Sequence, residues 1–127
     1  MMNAGTSVVF LPCGDIRKTE YFYNGILGFP VAERQSDSVL VFDTGYGYWG
    51  FCKYNDGRKP LSGAQGVCLS VNLDSESEVL RAFERFKALC RVYKEPTRHP
   101  QYPVFSFFLQ DPDGYLVEFQ KADPAEK

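Results

Sequence analysis

Glu118 is the first residue to consider, because it places a carboxylate inside a strand of largely apolar residues. The stretch Phe107–Gln120 reads FFLQDPDGYLVEFQ, in which Asp111–Gly114 has the residues that a type I turn favours. On the returning strand, side chains alternate, so Glu118 shares one face with Leu116. A carboxylate among apolar groups can act as a general base or bind a cationic group. The strand alone leaves open whether that face meets solvent or the interior.

A weak internal repeat accompanies this stretch. A shift of 67 positions lays Gln110–Lys121 over Asp43–Tyr54 without gaps and places Glu118 on Phe51. A shift of 59 brings the apolar run VCLSVNLD over VVFLPCGD. Two halves with the same order of elements indicate an internally duplicated domain.

Composition limits the classes of function. The chain has 127 residues, enough for one domain with a substantial core, and 16% of them are aromatic, enough to line a cavity with rings. The net charge is −2, and acidic and basic residues are interspersed. Because a nucleic-acid site needs a basic patch that neutralises phosphates, we expect no nucleic-acid partner.

Targeting signals and cysteines point to a cytoplasmic protein. No signal peptide is visible at the N-terminus, and no run of 18 apolar residues predicts a membrane span. The four cysteines are far apart and form no CxxC pair, which is typical of free thiols in a reducing cytoplasm. They are Cys13, Cys52, Cys68 and Cys90.

Each half is predicted to fold as one strand, one helix and three strands. Asp15 caps the first helix and Gly28 ends it, while Ser75 and Glu78 form a capping box for the second helix. We predict that this second helix runs to Leu89. The predicted strands are Ser7–Pro12, Val31–Gln35, Ser38–Asp43, Tyr48–Tyr54, Val67–Leu73, Arg91–Lys94, Val104–Leu109 and Tyr115–Lys121, with a loop at Glu95–Pro103.

Two motifs resemble the signatures of the vicinal oxygen chelate superfamily, also called the glyoxalase/bleomycin resistance/extradiol dioxygenase superfamily. These are FYNGILGF in the first helix and DPDGYLVEF near the end of the chain. The resemblance implies an α+β fold with two βαβββ modules, residues 7–54 and 66–121, in a single domain, residues 1–127. It further implies a curved, eight-stranded incomplete barrel around a cleft, and a homodimer.

The same resemblance assigns the positions that hold metal in the metal-using members of the family. These positions would be Val8, Phe51, Val67 and Glu118, of which only Glu118 can bind a divalent ion. A catalytic site normally needs about three protein ligands, so we expect no metal and no other cofactor. A divalent ion held by Glu118, His99 and water is the alternative.

Family geometry would turn Glu118 into the cleft, where it is the candidate catalytic residue. Apolar and aromatic side chains would surround it as ligand-binding residues, and a Pro-rich loop would act as a lid. The first group is Trp49, Phe51, Val8, Phe10, Val67, Leu69 and Phe107, and the lid residues are Arg98, His99 and Tyr102. Rings and one acid suit a flat small organic molecule that carries a cationic or hydrogen-bond-donating group.

Three functions remain open at this stage, and the sequence does not decide whether the protein is an enzyme. The first is a metal-free protein that binds a small aromatic or cationic compound. The alternative is a lyase, isomerase or dioxygenase that uses an irregular metal site or Glu118 as a general base. The third is a regulatory or immunity subunit whose cleft has no remaining function and whose dimer surface matters.

Overall fold

The computed structural model describes residues 2, 5–61 and 66–123. The chain forms two compact units, Met1–Leu61 (unit 1) and Ser62–Lys127 (unit 2). Each unit contains one open four-stranded sheet and one helical segment, in the order βαβββ. The predicted α+β fold with two βαβββ modules is therefore confirmed. The predicted module ranges, 7–54 and 66–121, each fall within one unit.

Unit 1 has a mixed sheet in the strand order β1-β4-β3-β2. β1 runs parallel to β4, and the other two pairs are antiparallel. Helix α1 is α-helical at Ile16–Glu20 and continues as a π-helix at Tyr21–Ile26. The strands are β1 (Val8–Pro12), β2 (Val31–Gln35), β3 (Val39–Asp43) and β4 (Tyr48–Cys52).

The predicted ends of α1 are confirmed. The Asp15 carboxylate accepts hydrogen bonds from the backbone N–H groups of Arg17 (3.0 Å) and Lys18 (3.3 Å). The bond from Lys18 is the main cause that lowers the pKa of Asp15. Gly28 ends the helix with φ of +84°, a conformation that glycine adopts without steric cost. The π-helix was not predicted, because the apolar spacing of this segment is that of an ordinary helix.

Aromatic rings hold α1 against its sheet. The ring of Tyr23, which is fully buried, stacks on Phe51 at 4.5 Å between centroids and lies 5.5 Å from Phe42. Trp49 meets Tyr23 edge-on at 6.2 Å and Phe29 at 5.5 Å. These contacts place the core of unit 1 on the helix side of the sheet.

Unit 2 repeats this architecture in the strand order β5-β8-β7-β6. β5 is parallel to β8, and the other two pairs are antiparallel. Ser75 caps helix α2 by accepting from Glu78 N at 3.2 Å, and the Glu78 carboxylate accepts from Asp74 N at 3.1 Å. The elements are β5 (Cys68–Asn72), α2 (Glu76–Phe86), β6 (Arg91–Arg98), β7 (Val104–Gln110) and β8 (Leu116–Ala122).

Two predicted boundaries in unit 2 are wrong. Four of the nine residues of the predicted loop Glu95–Pro103 are strand, because β6 continues to Arg98. Its pairing with β7 is interrupted between Val92 and Thr97, and such irregularities at a sheet edge accommodate a proline. The second error is at the end of α2, since Leu89 lies beyond the helix and is exposed.

The turn between β7 and β8 forms where the sequence predicts it. Gly114 N donates to Asp111 O at 3.0 Å, and Gly114 has a φ of +90°. The buried Asp111 carboxylate accepts from the backbone N–H groups of Asp113 (2.8 Å) and Tyr115 (2.9 Å). This turn fixes where β8 begins, and therefore which way each of its side chains points.

The core of unit 2 also lies between helix and sheet. The Phe107 ring, which is fully buried, stacks on Phe119 at 5.1 Å and meets Phe83 of α2 edge-on at 5.3 Å. Phe86 of α2 lies 5.5 Å from Phe119. Odd-numbered residues of β7 and β8 therefore face the helix, and even-numbered residues face the opposite side.

Candidate functional site

Glu118 lies on the side of its sheet opposite α2, which we call the helix-distal face of unit 2. Its neighbours along β8, Val117 and Phe119, are buried toward the helix. Leu116 and Gln120 share the face of Glu118, as strand alternation predicts. The Glu118 side chain is half-buried, so solvent or a ligand can reach the carboxylate.

Three strands place one side chain each in a row across this face. The register pairs Glu118 with Ser70 on one side and with Phe108 on the other. Ser70 Oγ donates to Glu118 Oε1 at 2.7 Å. The half-buried Phe108 ring meets the exposed ring of Tyr93 edge-on, with 6.5 Å between centroids. The result is a carboxylate with a hydroxyl donor on one side and an aromatic ring on the other.

Polar side chains continue along β5 beside this row. Cys68 Sγ lies 3.7 Å from Ser70 Oγ. Burial is the main cause that raises the pKa of the Cys68 thiol; the Glu118 charge also raises it, and the hydrogen bond with Ser70 opposes the shift. One step further, Gln120 Nε2 donates to Asn72 Oδ1 at 2.8 Å. The raised pKa keeps the Cys68 thiol protonated at neutral pH.

The equivalent row in unit 1 is apolar. β5 begins 60 residues after β1, and β8 begins 68 residues after β4. With these offsets, Ser70 corresponds to Phe10 and Glu118 to Gly50, which are themselves paired across β1 and β4. A Cβ atom at Gly50 would lie 2.6 Å from the ring of Phe10, so this glycine makes room for the ring. Val41 completes the row.

These registers correct the residues predicted to surround Glu118. Leu69 and Phe107 belong to the helix side of unit 2, the opposite side from Glu118. Phe51 is fully buried on the helix side of unit 1. The predicted shifts of 67 and 59 are each one residue short, and an error of one residue moves a side chain to the other face of a sheet.

The remaining apolar candidates divide between the two faces. Val67 precedes β5, is half-buried, and accepts a hydrogen bond at its carbonyl from Leu116 N at 3.4 Å. Trp49 lies on the helix side of unit 1. Val8 and Phe10 lie on the helix-distal face of unit 1, where 43% and 49% of their surfaces are exposed. Of these candidates, only Val8 and Phe10 lie on a helix-distal face, as Glu118 does in unit 2.

The three predicted lid residues have partners close to the end of β6. Arg98 forms an ion pair with Glu76 at the start of α2, with 2.7 Å between Nη2 and Oε2. His99 Nδ1 accepts from the backbone N–H groups of Gln101 (3.0 Å) and Tyr102 (3.1 Å), and the His99 and Tyr102 rings lie 4.7 Å apart. His99 therefore organises the turn that follows β6.

The side chains beside Glu118 in unit 2 include few of the usual metal ligands. Within residues 5–61 and 66–123, no group of three or more His, Cys, Asp and Glu side chains is arranged to hold a metal ion. The donors beside Glu118 are a serine hydroxyl and a protonated thiol, whereas catalytic metals take imidazole, thiolate or carboxylate ligands.

A concave surface in unit 1 contains none of the predicted site residues. It is a groove of about 480 Å³ beside the start of α1, with charged residues of both signs, among them Arg17, Arg34 and Lys53. Arg34 forms an ion pair with Glu20 across it, at 2.7 Å.

No helix among the described residues is long and apolar enough to cross a membrane.

The family follows from a match over most of the chain. Residues 6–119 match the model of the glyoxalase/bleomycin resistance protein/dioxygenase superfamily. The chain belongs to this superfamily. A comparison with curated proteins finds no match.

Solved structures share the fold at low sequence identity. A lactoylglutathione lyase from Agrobacterium tumefaciens is 20% identical, with 94% of each chain covered and a TM-score of 0.73. A glyoxalase/bleomycin resistance protein/dioxygenase from Nocardioides is 18% identical, with 100% of this chain and 89% of the Nocardioides chain covered and a TM-score of 0.79. A glyoxalase/bleomycin resistance protein/dioxygenase from Alicyclobacillus acidocaldarius is 17% identical, with 98% of this chain and 96% of the Alicyclobacillus chain covered and a TM-score of 0.78. At these identities the likeness concerns the fold.

Sequence reasoning missed Ser70, Phe108 and Tyr93. The alternation of β8 identifies the face of Glu118, but the neighbouring strands can be assigned to that face only when their register is known. Phe108 is adjacent to the predicted Phe107, and Ser70 to the predicted Leu69. In both cases the correct strand was chosen, but the predicted residue points to the opposite face of the sheet.

Proposed function

We propose that this superfamily member binds a small aromatic molecule with a cationic or N–H donor group, and that it does so without a metal ion. The proposed site is the row Ser70–Glu118–Phe108 with Tyr93 beside it. The observation that carries the proposal is the pairing of a solvent-accessible carboxylate with aromatic rings on one sheet face.

The electrostatics of the row favour a cation. Glu118 is an acceptor when ionised, and hydrogen bonds between charged partners are about twice as strong as neutral ones. Phe108 supplies an apolar surface and a π-face next to the same carboxylate, and a flat cation gains from both. Lys94, a cation, lies opposite Phe108 on β6, one strand further from Glu118, so an anionic ligand beside Phe108 would still meet the Glu118 charge.

The donor set argues for a metal-free mode of binding. A metal site would need further ligands besides Glu118, and the donors beside it are a hydroxyl and a thiol. We propose further that the protein acts in the cytoplasm as a homodimer. The described cysteines are all free, which agrees with a reducing compartment.

Calorimetric titration of EDTA-treated protein with three matched probes tests the proposal. The probes are benzamidine, which is cationic, benzamide, which is neutral and of the same shape, and benzoate, which is anionic. We expect the affinity to fall in that order, with benzamidine about tenfold or more ahead of benzamide, the difference typical of a charge-assisted hydrogen bond. The variant Glu118→Gln should remove the preference for benzamidine.

Two results would contradict the proposal. One is equal affinity for benzamidine and benzamide in the wild-type protein. The other is stoichiometric zinc, nickel, iron or manganese in protein purified without chelator, with binding that disappears after EDTA. A matched control is Glu33→Gln, which removes an exposed carboxylate from unit 1 and should leave all three affinities unchanged.

A further inference from the structure

Ser70 is exposed, and an exposed serine does not need a hydrogen-bond partner within the protein. Serine on a solvent-accessible strand can hydrogen-bond to water, yet its Oγ donates to Glu118 Oε1 at 2.7 Å, across 48 residues of sequence. The two residues are direct partners in the parallel pair β5–β8. Their side chains therefore leave the sheet side by side on the same face.

The direction of the hydrogen-bond chain can be assigned from the chemistry of its members. An ionised carboxylate only accepts hydrogen bonds, so the Ser70 hydroxyl proton points to Glu118. The Ser70 oxygen then accepts, and Cys68, 3.7 Å away, is the donor in that contact. A protonated thiol suits this role, and burial raises the pKa of Cys68 in agreement with it.

The two oxygens of Glu118 differ as a result. Oε1 accepts from Ser70, whereas Oε2 has no hydrogen-bond partner in the part of the chain that the structure describes. A glutamate side chain has three rotatable bonds, and a ligand that immobilises such a side chain binds more weakly because of the lost conformational freedom. A hydrogen bond that fixes the carboxylate beforehand removes part of that cost.

We propose that Ser70 is a positioning residue that fixes the Glu118 carboxylate through Oε1 and presents Oε2 as the acceptor for a ligand's cationic or N–H group. This inference rests on the proposed binding function and adds that Ser70 strengthens the preference of the site for a cationic or N–H group. The neighbouring pair Asn72–Gln120 forms its own hydrogen bond of 2.8 Å. It provides a matched control on the same two strands.

The experiment compares the ratio of benzamidine to benzamide affinity in four proteins. Ser70→Ala should lower this ratio about threefold to tenfold, as expected when a pre-ordered side chain becomes mobile. Ser70→Thr keeps the hydroxyl and should restore the ratio, and Asn72→Ala should leave it at the wild-type value. Thermal unfolding should show the same midpoint for Ser70→Ala and Asn72→Ala, which separates positioning from a general loss of structure.

A crystal structure of each free protein gives a readout that does not depend on the probe. We expect one Glu118 conformer within hydrogen-bond distance of Ser70 in the wild type, and more than one conformer in Ser70→Ala. A single unchanged conformer in Ser70→Ala would overturn the positioning role.

The outcomes for the two proposals are distinguishable. If Glu118→Gln abolishes the preference for benzamidine but Ser70→Ala leaves the ratio unchanged, the binding function stands and the role of Ser70 is overturned. If the wild-type protein shows no preference at all, both proposals fall. If Ser70→Ala and Asn72→Ala lower the ratio equally, the effect belongs to the strand pair and the role of Ser70 is also overturned.

Discussion

Phe107 and Phe108 are adjacent residues with opposite surroundings. Phe107 is fully buried, with its ring stacked on Phe119 and edge-on to Phe83. Phe108 is half-buried and lies beside Glu118 on the helix-distal face. The same side chain therefore stabilises the fold at one position and lines the candidate site at the next.

Alanine substitution at each position should separate these roles. Phe107→Ala removes a core ring and leaves a cavity, so we expect the free energy of unfolding to fall by about 3–5 kcal/mol. Phe108→Ala should cost less stability but weaken benzamidine binding, because the ligand loses its aromatic surface. Urea unfolding and calorimetric titration of both variants measure these effects. Equal losses of stability, or unchanged binding in Phe108→Ala, would contradict the assignment of faces.

The turn after β6 depends on one side-chain nitrogen. His99 Nδ1 accepts hydrogen bonds from the backbone N–H groups of Gln101 and Tyr102. A side chain without an acceptor at this position cannot make either bond. The ring contact with Tyr102 at 4.7 Å depends on the same turn.

We therefore expect this turn to loosen in His99→Ala. The amide signals of Gln101 and Tyr102 should shift relative to the wild type, and their hydrogen exchange should accelerate, because both N–H groups lose their acceptor. His99→Asn keeps a side-chain acceptor, so its hydrogen exchange should stay closer to that of the wild type. Two-dimensional NMR of the three proteins measures this, and unchanged exchange in His99→Ala would refute the role of His99.

Element order was predictable from the sequence, because the signals that set it are local. Asp15, Gly28 and Asp111 each bring the hydrogen bonds or backbone conformation that caps a helix or closes a turn. The faces of neighbouring strands were not predictable, because register depends on pairing between distant segments. A one-residue error assigned Phe51 to the position of Gly50, and with it a core residue to the candidate site.

At the scale of the whole molecule, two units of the same architecture differ in one row of side chains. Unit 1 has Phe10, Gly50 and Val41 in this row, and unit 2 has Ser70, Glu118 and Phe108. The polar chemistry of the row is therefore concentrated in unit 2. Family membership sets the fold, whereas this asymmetry supports the proposal of a metal-free site for a cationic aromatic ligand.

A crystal structure of the full chain with benzamidine tests this account most directly. We predict that the amidinium group lies within hydrogen-bond distance of Glu118 Oε2 and that the ring packs against Phe108, with no metal ion between ligand and carboxylate. Benzamidine bound only in the charged groove of unit 1, or a divalent ion coordinated by Glu118, would contradict it.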